Sequence, residues 1–250
     1  MKSLKDLTPV IFLAVLLAPS VGLAQWQAHE VRQLNGQAGE RRLPARFQIV
    51  TESWNRVVAV PYMVNMPEKN RLLMLVGCDY PHRAFVLTSD NRGATWTDPR
   101  PVRVGDDGQP SIGMGTGLAY LGKGRLLFYE DGILAAGQPS RWFSTDYGKT
   151  WGHPVPIARS SDDKPWYIWD PPLVDRDPRT GKIIQLAETG YRQSGTDSQA
   201  SIRFSTDLGQ TWSRSITVPE WHGVNEVSLF RAGNGDLLAA CRTDVPDRLE

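Results

Sequence analysis

Two charged residues near the C-terminal end of the sequence, Glu226 and Arg242, have the types and the spacing of a paired site. Glu226 opens one apolar stretch and Arg242 closes the next, with a Gly/Asn-rich turn between them. If the two stretches form an antiparallel hairpin, both side chains lie at the same end of it. An arginine guanidinium binds a ligand carboxylate through two coplanar hydrogen bonds. The alternative interpretation is a plain ion pair across the hairpin.

A repeated pattern predicts further carboxylates at the positions that correspond to Arg242 in the preceding repeats. A polar turn followed by two aliphatic residues occurs four times, with the first aliphatic at Leu72, Leu126, Ile183 and Leu237. Arg242 lies five residues beyond Leu237, and the same step from the preceding two repeats reaches Asp131 and Glu188. We expect these residues to surround one pocket, where paired carboxylates would suit glycoside hydrolysis. Taken singly, each carboxylate fits a solvated loop position.

An aromatic run, Trp166-Tyr167-Ile168-Trp169-Asp170, precedes the third repeat. Flat aromatic faces provide apolar contact for sugar rings. We therefore expect Trp166 and Trp169 to bind substrate at the same mouth. The alternative places two of these rings in the core.

A second landmark repeats in step with the first. The segments 144–151 and 205–212 both read S-T-D-x-G-x-T-W, and 89–96 reads S-x-N-x-G-x-T-W. Their tryptophans, Trp96, Trp151 and Trp212, recur every 55 to 61 residues, a period typical of stacked units or blades. Each unit has hairpin signals and no sustained helical periodicity. We expect four antiparallel strands per unit, as in a propeller blade, with Asp146 and Asp207 accepting hydrogen bonds from backbone N–H groups in their turns.

This motif is the Asp box, and about residues 46–250 resemble the sialidase superfamily of six-bladed all-β propellers. The resemblance implies blades at approximately 46–107, 108–160 and 161–220, and a partial blade at 221–250. At about 55 residues per blade, this length corresponds to about four blades, so we expect the propeller to be incomplete. The resemblance also places the boxes at the periphery, so that Asp146 and Asp207 are structural.

The resemblance assigns roles around the mouth. Asp79 would be the general acid/base, Glu226 the partner of a nucleophilic tyrosine in a later blade, and Arg242 a ligand of the substrate carboxylate. One departure stands out. Where the family has Phe-Arg-Ile-Pro, this chain has Val58-Ala59-Val60-Pro61, and Ala59 cannot bind a carboxylate.

These features predict a glycoside hydrolase of sialidase type that acts on glycans. The narrowest form of this prediction is an exo-α-sialidase. The alternatives are a non-catalytic carbohydrate-binding or interaction propeller that has lost its arginine triad, and a hydrolase for a different sugar. No cofactor is expected, and because none of the four histidines has ligand spacing, neither is a metal.

The N-terminal residues 1–24 predict a secretory signal. Lys2 and Lys5 precede the apolar run 10–18, and Gly22-Leu23-Ala24 supplies small residues for cleavage before Gln25. We expect residues 25–250 to be periplasmic or secreted, with no membrane association after cleavage; an N-terminal anchor is the alternative. With 28 Lys+Arg against 27 Asp+Glu, the chain lacks the basic excess of a nucleic-acid-binding protein.

The two cysteines, Cys78 and Cys241, are too few for a disulfide scaffold. We expect buried free thiols rather than a bridge between them.

Overall fold

The computed structural model describes residues 27–32, 42–47, 49–51, 53–132, 138–159, 164–194 and 197–243. The chain divides into two units, 1–48 and 49–250. The first contains one antiparallel pair of strands, β1 (Gln27–Arg32) and β2 (Arg42–Phe47). The predicted signal at 1–24 lies outside the described residues.

The second unit consists of antiparallel sheets in chain order. Blade 1 contains β3 (Val58–Met66), β4 (Arg71–Cys78), β5 (Arg83–Ser89) and β6 (Arg100–Pro101). Blade 2 contains β7 (Gly115–Gly122), β8 (Arg125–Glu130), β9 (Ser140–Ser144) and β10 (Gly152–Pro156). Blade 3 contains β11 (Leu173–Arg176), β12 (Ile183–Ser194), β13 (Asp197–Ser205) and β14 (Ile216–His222). A two-stranded sheet, called hairpin 4 below, contains β15 (Val224–Arg231) and β16 (Leu237–Thr243).

The sheets are arranged as the blades of a propeller. Each is a meander of neighbouring antiparallel strands. The first strand of each sheet contacts the first strand of the next, β3 with β7, β7 with β11 and β11 with β15. Successive sheets therefore stack face to face around a common axis. The only helical segment in the described residues is a 3₁₀ turn at Pro67–Lys69. The prediction of an all-β propeller of low helix content is confirmed.

Strand alternation builds the core between the blades. In β4, Leu73 and Leu75 are fully buried in a cluster with Phe128 of blade 2, whereas Val76 and Cys78 belong to a cluster on the opposite face. A period of two sends successive side chains to opposite faces, so a blade covered on both faces is apolar throughout. Each fully buried leucine contributes about 1.5–3 kcal/mol relative to an exposed one.

The box turns close the hairpins between the third and fourth strands. In blade 3, Asp207 Oδ1 accepts hydrogen bonds from Ser205 Oγ at 2.8 Å and from Thr211 N at 2.9 Å, and Oδ2 accepts one from Thr211 Oγ1 at 2.6 Å. Gly209 has φ +87°, a backbone conformation that costs glycine nothing. The prediction that Asp146 and Asp207 are turn formers is confirmed, since Asp146 makes the same bonds to Ser144 and Thr150.

Replacement of Asp207 by alanine is expected to lower the free energy of unfolding by roughly 1–3 kcal/mol, because donors in the turn lose their acceptor. The matched variant is Asp207→Asn, since blade 1 carries Asn91 at this position and its Oδ1 accepts the bond from Thr95 N at 2.9 Å. We expect the asparagine variant to lose less than half as much as the alanine variant. Urea denaturation followed by tryptophan fluorescence measures both. Equal losses in the two variants would contradict the turn-forming role.

Three of the first strands, β3, β7 and β15, are irregular at their N-terminal ends. The register of β3 shifts between Ala59 and Tyr62, that of β7 between Gly115 and Gly117, and that of β15 between Val224 and Val227. Each shift is a β-bulge, which bends the strand and re-aims its side chains. These bulges position the candidate site.

Candidate functional site

Glu226 and Arg242 form the predicted pair across hairpin 4. Arg242 Nη1 donates a hydrogen bond to Glu226 Oε1 at 3.0 Å. The β15 bulge places Asn225 and Glu226 opposite the single residue Arg242. The side chain of Arg242 is 55% exposed and that of Glu226 is 32% exposed, so both groups reach solvent. The expected adjacency is confirmed, while a role in substrate binding remains a prediction.

A second carboxylate, Asp170, lies near Glu226. The Tyr62 hydroxyl donates a hydrogen bond to the backbone carbonyl of Trp169. Burial, and then the negative charges of Asp170 and Glu226, raise the pKa of the Tyr62 phenol far above its usual range. Both carboxylates are therefore within electrostatic reach of one phenol. Asp170 Oδ1 also accepts a hydrogen bond from Ser228 Oγ at 2.6 Å.

A second tyrosine completes this group. Tyr191 of β12 packs on Tyr167 with ring centroids 5.5 Å apart, and the two backbones exchange hydrogen bonds of 2.9 Å. Burial, followed by the charge of Glu226, raises the pKa of Tyr191, whereas Arg242 and a hydrogen bond with Trp169 oppose the rise. We define the axial cluster as seven residues from blades 1 and 3, the segment before blade 3, and hairpin 4: Tyr62, Trp169, Asp170, Tyr191, Glu226, Ser228 and Arg242.

The raised pKa values define what the phenols can do. A nucleophilic tyrosine must ionise, and a neighbouring carboxylate opposes ionisation. Tyr62 and Tyr191 are therefore neutral hydrogen-bond donors at physiological pH. The two carboxylates supply the charge of the cluster, and Arg242 is the cation beside them.

Stability is expected to fall as the pH rises above about 10, the pKa of an unperturbed tyrosine. The pKa of the phenol is raised in the folded state for Tyr62 and Tyr191, and for Tyr129, where burial and then Glu188 are the causes. Above pH 10 the unfolded chain loses these protons while the folded protein keeps them, so the stability present below pH 10 is lost. Urea denaturation between pH 8 and pH 11 measures the slope.

Tyr62→Phe is expected to make this alkaline slope shallower. The control is Tyr80→Phe, because Tyr80 is 89% exposed. If both variants keep the slope of the unmodified protein, Tyr62 does not carry the effect.

Glu188 does not lie at the mouth, and its predicted position is corrected. It is 2% exposed, Arg141 binds both of its carboxylate oxygens, and Tyr129 donates to Oε2 at 3.0 Å. The cause is register. Leu72 and Leu126 stand opposite the first serine of their boxes, but in blade 3 that partner is Leu186 rather than Ile183. Because the residue opposite the box serine lies three residues beyond Ile183, the residue at mouth level is Tyr191.

The aromatic run is divided between the core and the site. Trp166 and Ile168 are each 5% exposed and belong to the core cluster between blades 2 and 3, where Arg203 lies 4.8 Å from the Trp166 ring. Trp169 joins the axial cluster through Tyr62 and Tyr191. Alternation along an extended segment sends neighbouring residues to opposite faces. The expectation that Trp166 faces the mouth is therefore corrected.

The remaining predicted residues lie at the ends of the second strands. Asp79 follows β4 with φ +66°, is ion-paired with Arg56, and is 46% exposed. Asp131 follows β8, and its backbone N–H donates to the Met114 carbonyl at 3.0 Å. Both carboxylates are at the predicted strand ends. Their roles in catalysis and binding remain predictions.

Sequence reasoning did not select Tyr62, Asp170, Tyr191 or Ser228. Asp170 closes the aromatic run, and Tyr191 lies five residues beyond Leu186, so aligning the blades on their boxes would have found it. Tyr62 carries no such signal, because the β3 bulge interrupts the alternation that would orient it.

Cys78 is buried and Cys241 is exposed, and both are free thiols. The expectation of free thiols is confirmed, but burial is correct only for Cys78. In the described part of the chain, no group of three or more His, Cys, Asp or Glu side chains is arranged to hold a metal ion. The described residues also include no helix that is long and apolar enough to span a membrane.

Comparison with solved structures shows the fold. The arabinanase of Penicillium chrysogenum, solved with arabinobiose, is 15% identical with a TM-score of 0.52, over 85% of this chain and 67% of its own. The GH62 α-L-arabinofuranosidase catalytic domain of Coprinopsis cinerea is 14% identical with a TM-score of 0.52, over 82% of this chain and 72% of its own. The NanB sialidase of Streptococcus pneumoniae is 15% identical with a TM-score of 0.44, over 72% of this chain and 27% of its own.

This chain therefore spans between 27 and 72% of the length of these proteins. No protein-family model matches it, and neither does any curated protein. The fold is that of the β-propeller glycosidases.

Proposed function

We propose that this protein is an exported glycoside hydrolase of sialidase type that acts on a glycan at the axial cluster. The observation that carries the proposal is the contact between Asp170 and the strand of Glu226: Ser228 Oγ on β15 donates a hydrogen bond to Asp170 Oδ1 at 2.6 Å. Asp170 lies before blade 3 and Glu226 lies in hairpin 4, so the two carboxylates come from different parts of the propeller. Glycoside hydrolysis uses such a pair, one group protonating the leaving oxygen and the other activating water or attacking the sugar.

The other members of the cluster support a sugar-binding role. Trp169 contributes an aromatic ring, and the neutral hydroxyls of Tyr62 and Tyr191 suit hydrogen bonds with sugar hydroxyls. Arg242 offers a guanidinium to a carboxylated or strongly polar substituent. The likeness to arabinan-cleaving and arabinofuranoside-cleaving enzymes is one of fold and is consistent with a glycan substrate.

Sialic acid itself is the narrower part of the proposal. Ala59 stands where the first arginine of the sialidase triad would be, and it pairs with Gly77 at the end of blade 1. Arg56 precedes β3 and is ion-paired with Asp79. If Arg56 replaced the missing triad arginine, this pair would have to open, which would also free Asp79 to act as acid/base. Without that change, the site fits a sugar whose carboxylate is bound by Arg242 alone, or one with no carboxylate.

A non-catalytic carbohydrate-binding propeller is the second candidate. One observation favours it: position 59 holds alanine where the sialidase resemblance places an arginine. In this case the axial cluster would bind glycan without cleaving it.

A panel of aryl glycosides, including α-sialosides, α-L-arabinofuranosides and β-galactosides, separates the two. We expect turnover of at least one aryl glycoside, and turnover of the sialoside only if the narrower proposal holds. Binding of the parent sugars without release of any aryl group would establish the non-catalytic alternative.

Export is part of the same proposal and rests on the signal predicted at residues 1–24. The mature protein, periplasmic or secreted, should begin at Gln25. N-terminal sequencing of the exported protein checks this, and an intact Met1 would contradict it.

A further inference from the structure

A groove with a volume of about 640 Å³ lies between blades 2 and 3, among their outer strands. Its lining includes five arginines: Arg141, Arg159, Arg192, Arg203 and Arg214. No Asp or Glu is among the described residues that line it. The groove differs in composition and position from the axial cluster, which contains two carboxylates and one arginine.

The buried end of the groove carries more positive than negative charge. Arg141 and Arg203 share the single carboxylate of Glu188, and their side chains are only 3% and 11% exposed. Arg141 holds both carboxylate oxygens, which leaves Arg203 at 3.9 Å from Oε1 with a 3.4 Å hydrogen bond to the Ala158 carbonyl. Among the described residues, these two guanidinium groups and one carboxylate leave one positive charge in excess. Burying an unbalanced charge is costly, so an anion placed here would be strongly favoured.

An independent observation points to a missing acceptor at the same place. Trp166 is 5% exposed, and its ring lies 4.8 Å from the Arg203 guanidinium and lines the groove. Its Nε1–H is buried and has no hydrogen-bond partner among the described residues. Buried donors are nearly always paired in folded proteins. The indole N–H and the guanidinium that lies over its ring are both hydrogen-bond donors, and the oxygens of one anionic group would accept from both.

The outer part of the groove is suited to a sugar. Trp212 provides an aromatic ring on which Arg141 stacks at 4.8 Å, and the hydroxyls of Ser213, Ser215 and Thr217 line the same wall. A cavity of this size accommodates a ligand of several hundred daltons, such as a short oligosaccharide. Arg214 is exposed at the rim, where it can attract a negatively charged ligand.

The neighbouring groove between blades 1 and 2 shows that this charge is not a general property of the propeller. That groove has a volume of about 410 Å³ and a single arginine, Arg103, which lies 5.9 Å from the ring of Trp142. Its lining also contains Asp106 and Glu130, and Glu130 accepts the hydrogen bond of Trp142 Nε1 at 2.8 Å. Here the indole is satisfied by a carboxylate of the chain itself. In the groove between blades 2 and 3, no carboxylate among the described residues takes that place.

We propose that the groove between blades 2 and 3 is a second carbohydrate-binding site, which holds the carboxylate or sulfate group of an anionic oligosaccharide against Arg203 and Trp166. The site does not depend on the activity proposed for the axial cluster. It would hold an acidic polysaccharide on the side of the propeller.

Isothermal titration calorimetry of the full chain tests the proposal with four probes: hexagalacturonate for carboxylate, a carrageenan hexasaccharide for sulfate, uncharged galactohexaose, and a single-stranded DNA hexamer. We expect at least one acidic sugar to bind at least about tenfold more tightly than both galactohexaose and the DNA. We also expect its affinity to fall with added salt.

Variants locate the binding. Arg203→Gln and Arg214→Gln are each expected to weaken it about tenfold, the effect of losing one charge-assisted bond. Arg103→Gln in the other groove is the matched control and should change it less than twofold. Because Arg203 contacts Glu188, thermal melting must show that its variant is folded; the exposed Arg214 variant tests the same site without that risk. Glu226→Gln should leave this binding unchanged, which separates the groove from the axial cluster.

Three results would overturn the proposal. The first is no binding of either acidic sugar. The second is binding that both arginine variants retain. The third is equal affinity for the DNA, which would make the groove a general polyanion surface.

Discussion

Glu226→Gln is expected to lower the turnover of a cleaved aryl glycoside by about 10²- to 10⁴-fold, the usual contribution of a group that moves a proton in the transition state. The amide has nearly the same shape, so the hairpin should keep its structure. Arg242 is 55% exposed, and an exposed ion pair contributes only about 0–1 kcal/mol, so the protein should remain folded. The measurement is kcat and KM on the substrate found in the glycoside panel, with urea denaturation of the same preparation.

Asp170→Asn is the companion variant, because Asp170 is hydrogen-bonded to Ser228 on the same strand as Glu226. If they work as a pair, each variant alone should lose most of the activity, and the double variant should lose little more. The control is Glu220→Gln on the exposed strand β14, which should keep normal kinetics. Normal turnover in Glu226→Gln would remove this residue from the reaction. Asp79 and Asp131, which follow the second strands of blades 1 and 2, would then be the candidates for the catalytic carboxylates.

Glu188→Gln is expected to have the largest effect on stability, lowering the free energy of unfolding by about 3–5 kcal/mol. The carboxylate neutralises Arg141, whose side chain is 3% exposed, and lies 3.9 Å from Arg203. Removing it leaves two buried guanidinium groups without a counter-charge. Urea denaturation measures the loss, again with Glu220→Gln as the exposed control, expected within about 0.5 kcal/mol of the unmodified protein.

The outcome also separates two roles for Glu188. Loss of stability with unchanged glycan affinity in the remaining folded protein would agree with its position between blades 2 and 3. Unchanged stability with lost affinity would restore the substrate-binding role that the repeat alignment predicted.

The two carboxylates show why position in the fold matters more than residue type. Glu226 is on a bulge at the end of a first strand, where its side chain reaches solvent beside a single arginine. Glu188 is in the middle of a second strand, between two sheets, where it is ion-paired with Arg141 and Arg203. The first arrangement leaves a carboxylate able to meet a ligand, whereas the second uses it to neutralise the core.

Local sequence alone determined the elements of this protein. The box segments around Asp146 and Asp207 fold through hydrogen bonds that span four residues, so their turn was readable from the motif. The same holds for hairpin 4, whose apolar stretches and Gly/Asn-rich turn bring Glu226 to Arg242. The propeller follows from repetition of such units, because each buries its apolar faces only against a neighbour.

Tertiary structure decided which side chains meet. Tyr62 and Asp170 are more than 100 residues apart in the chain. A bulge in β3 interrupts the alternation of side chains along the strand, so the sequence pattern does not give the orientation of Tyr62. In β12 the residue opposite the box serine is Leu186, three residues beyond Ile183, so Glu188 lies between the blades and Tyr191 takes the position expected for Glu188. Such shifts depend on how a strand pairs with its neighbours. A one-residue change of register turns every side chain to the other face, so the site follows from pairing that only the folded chain sets.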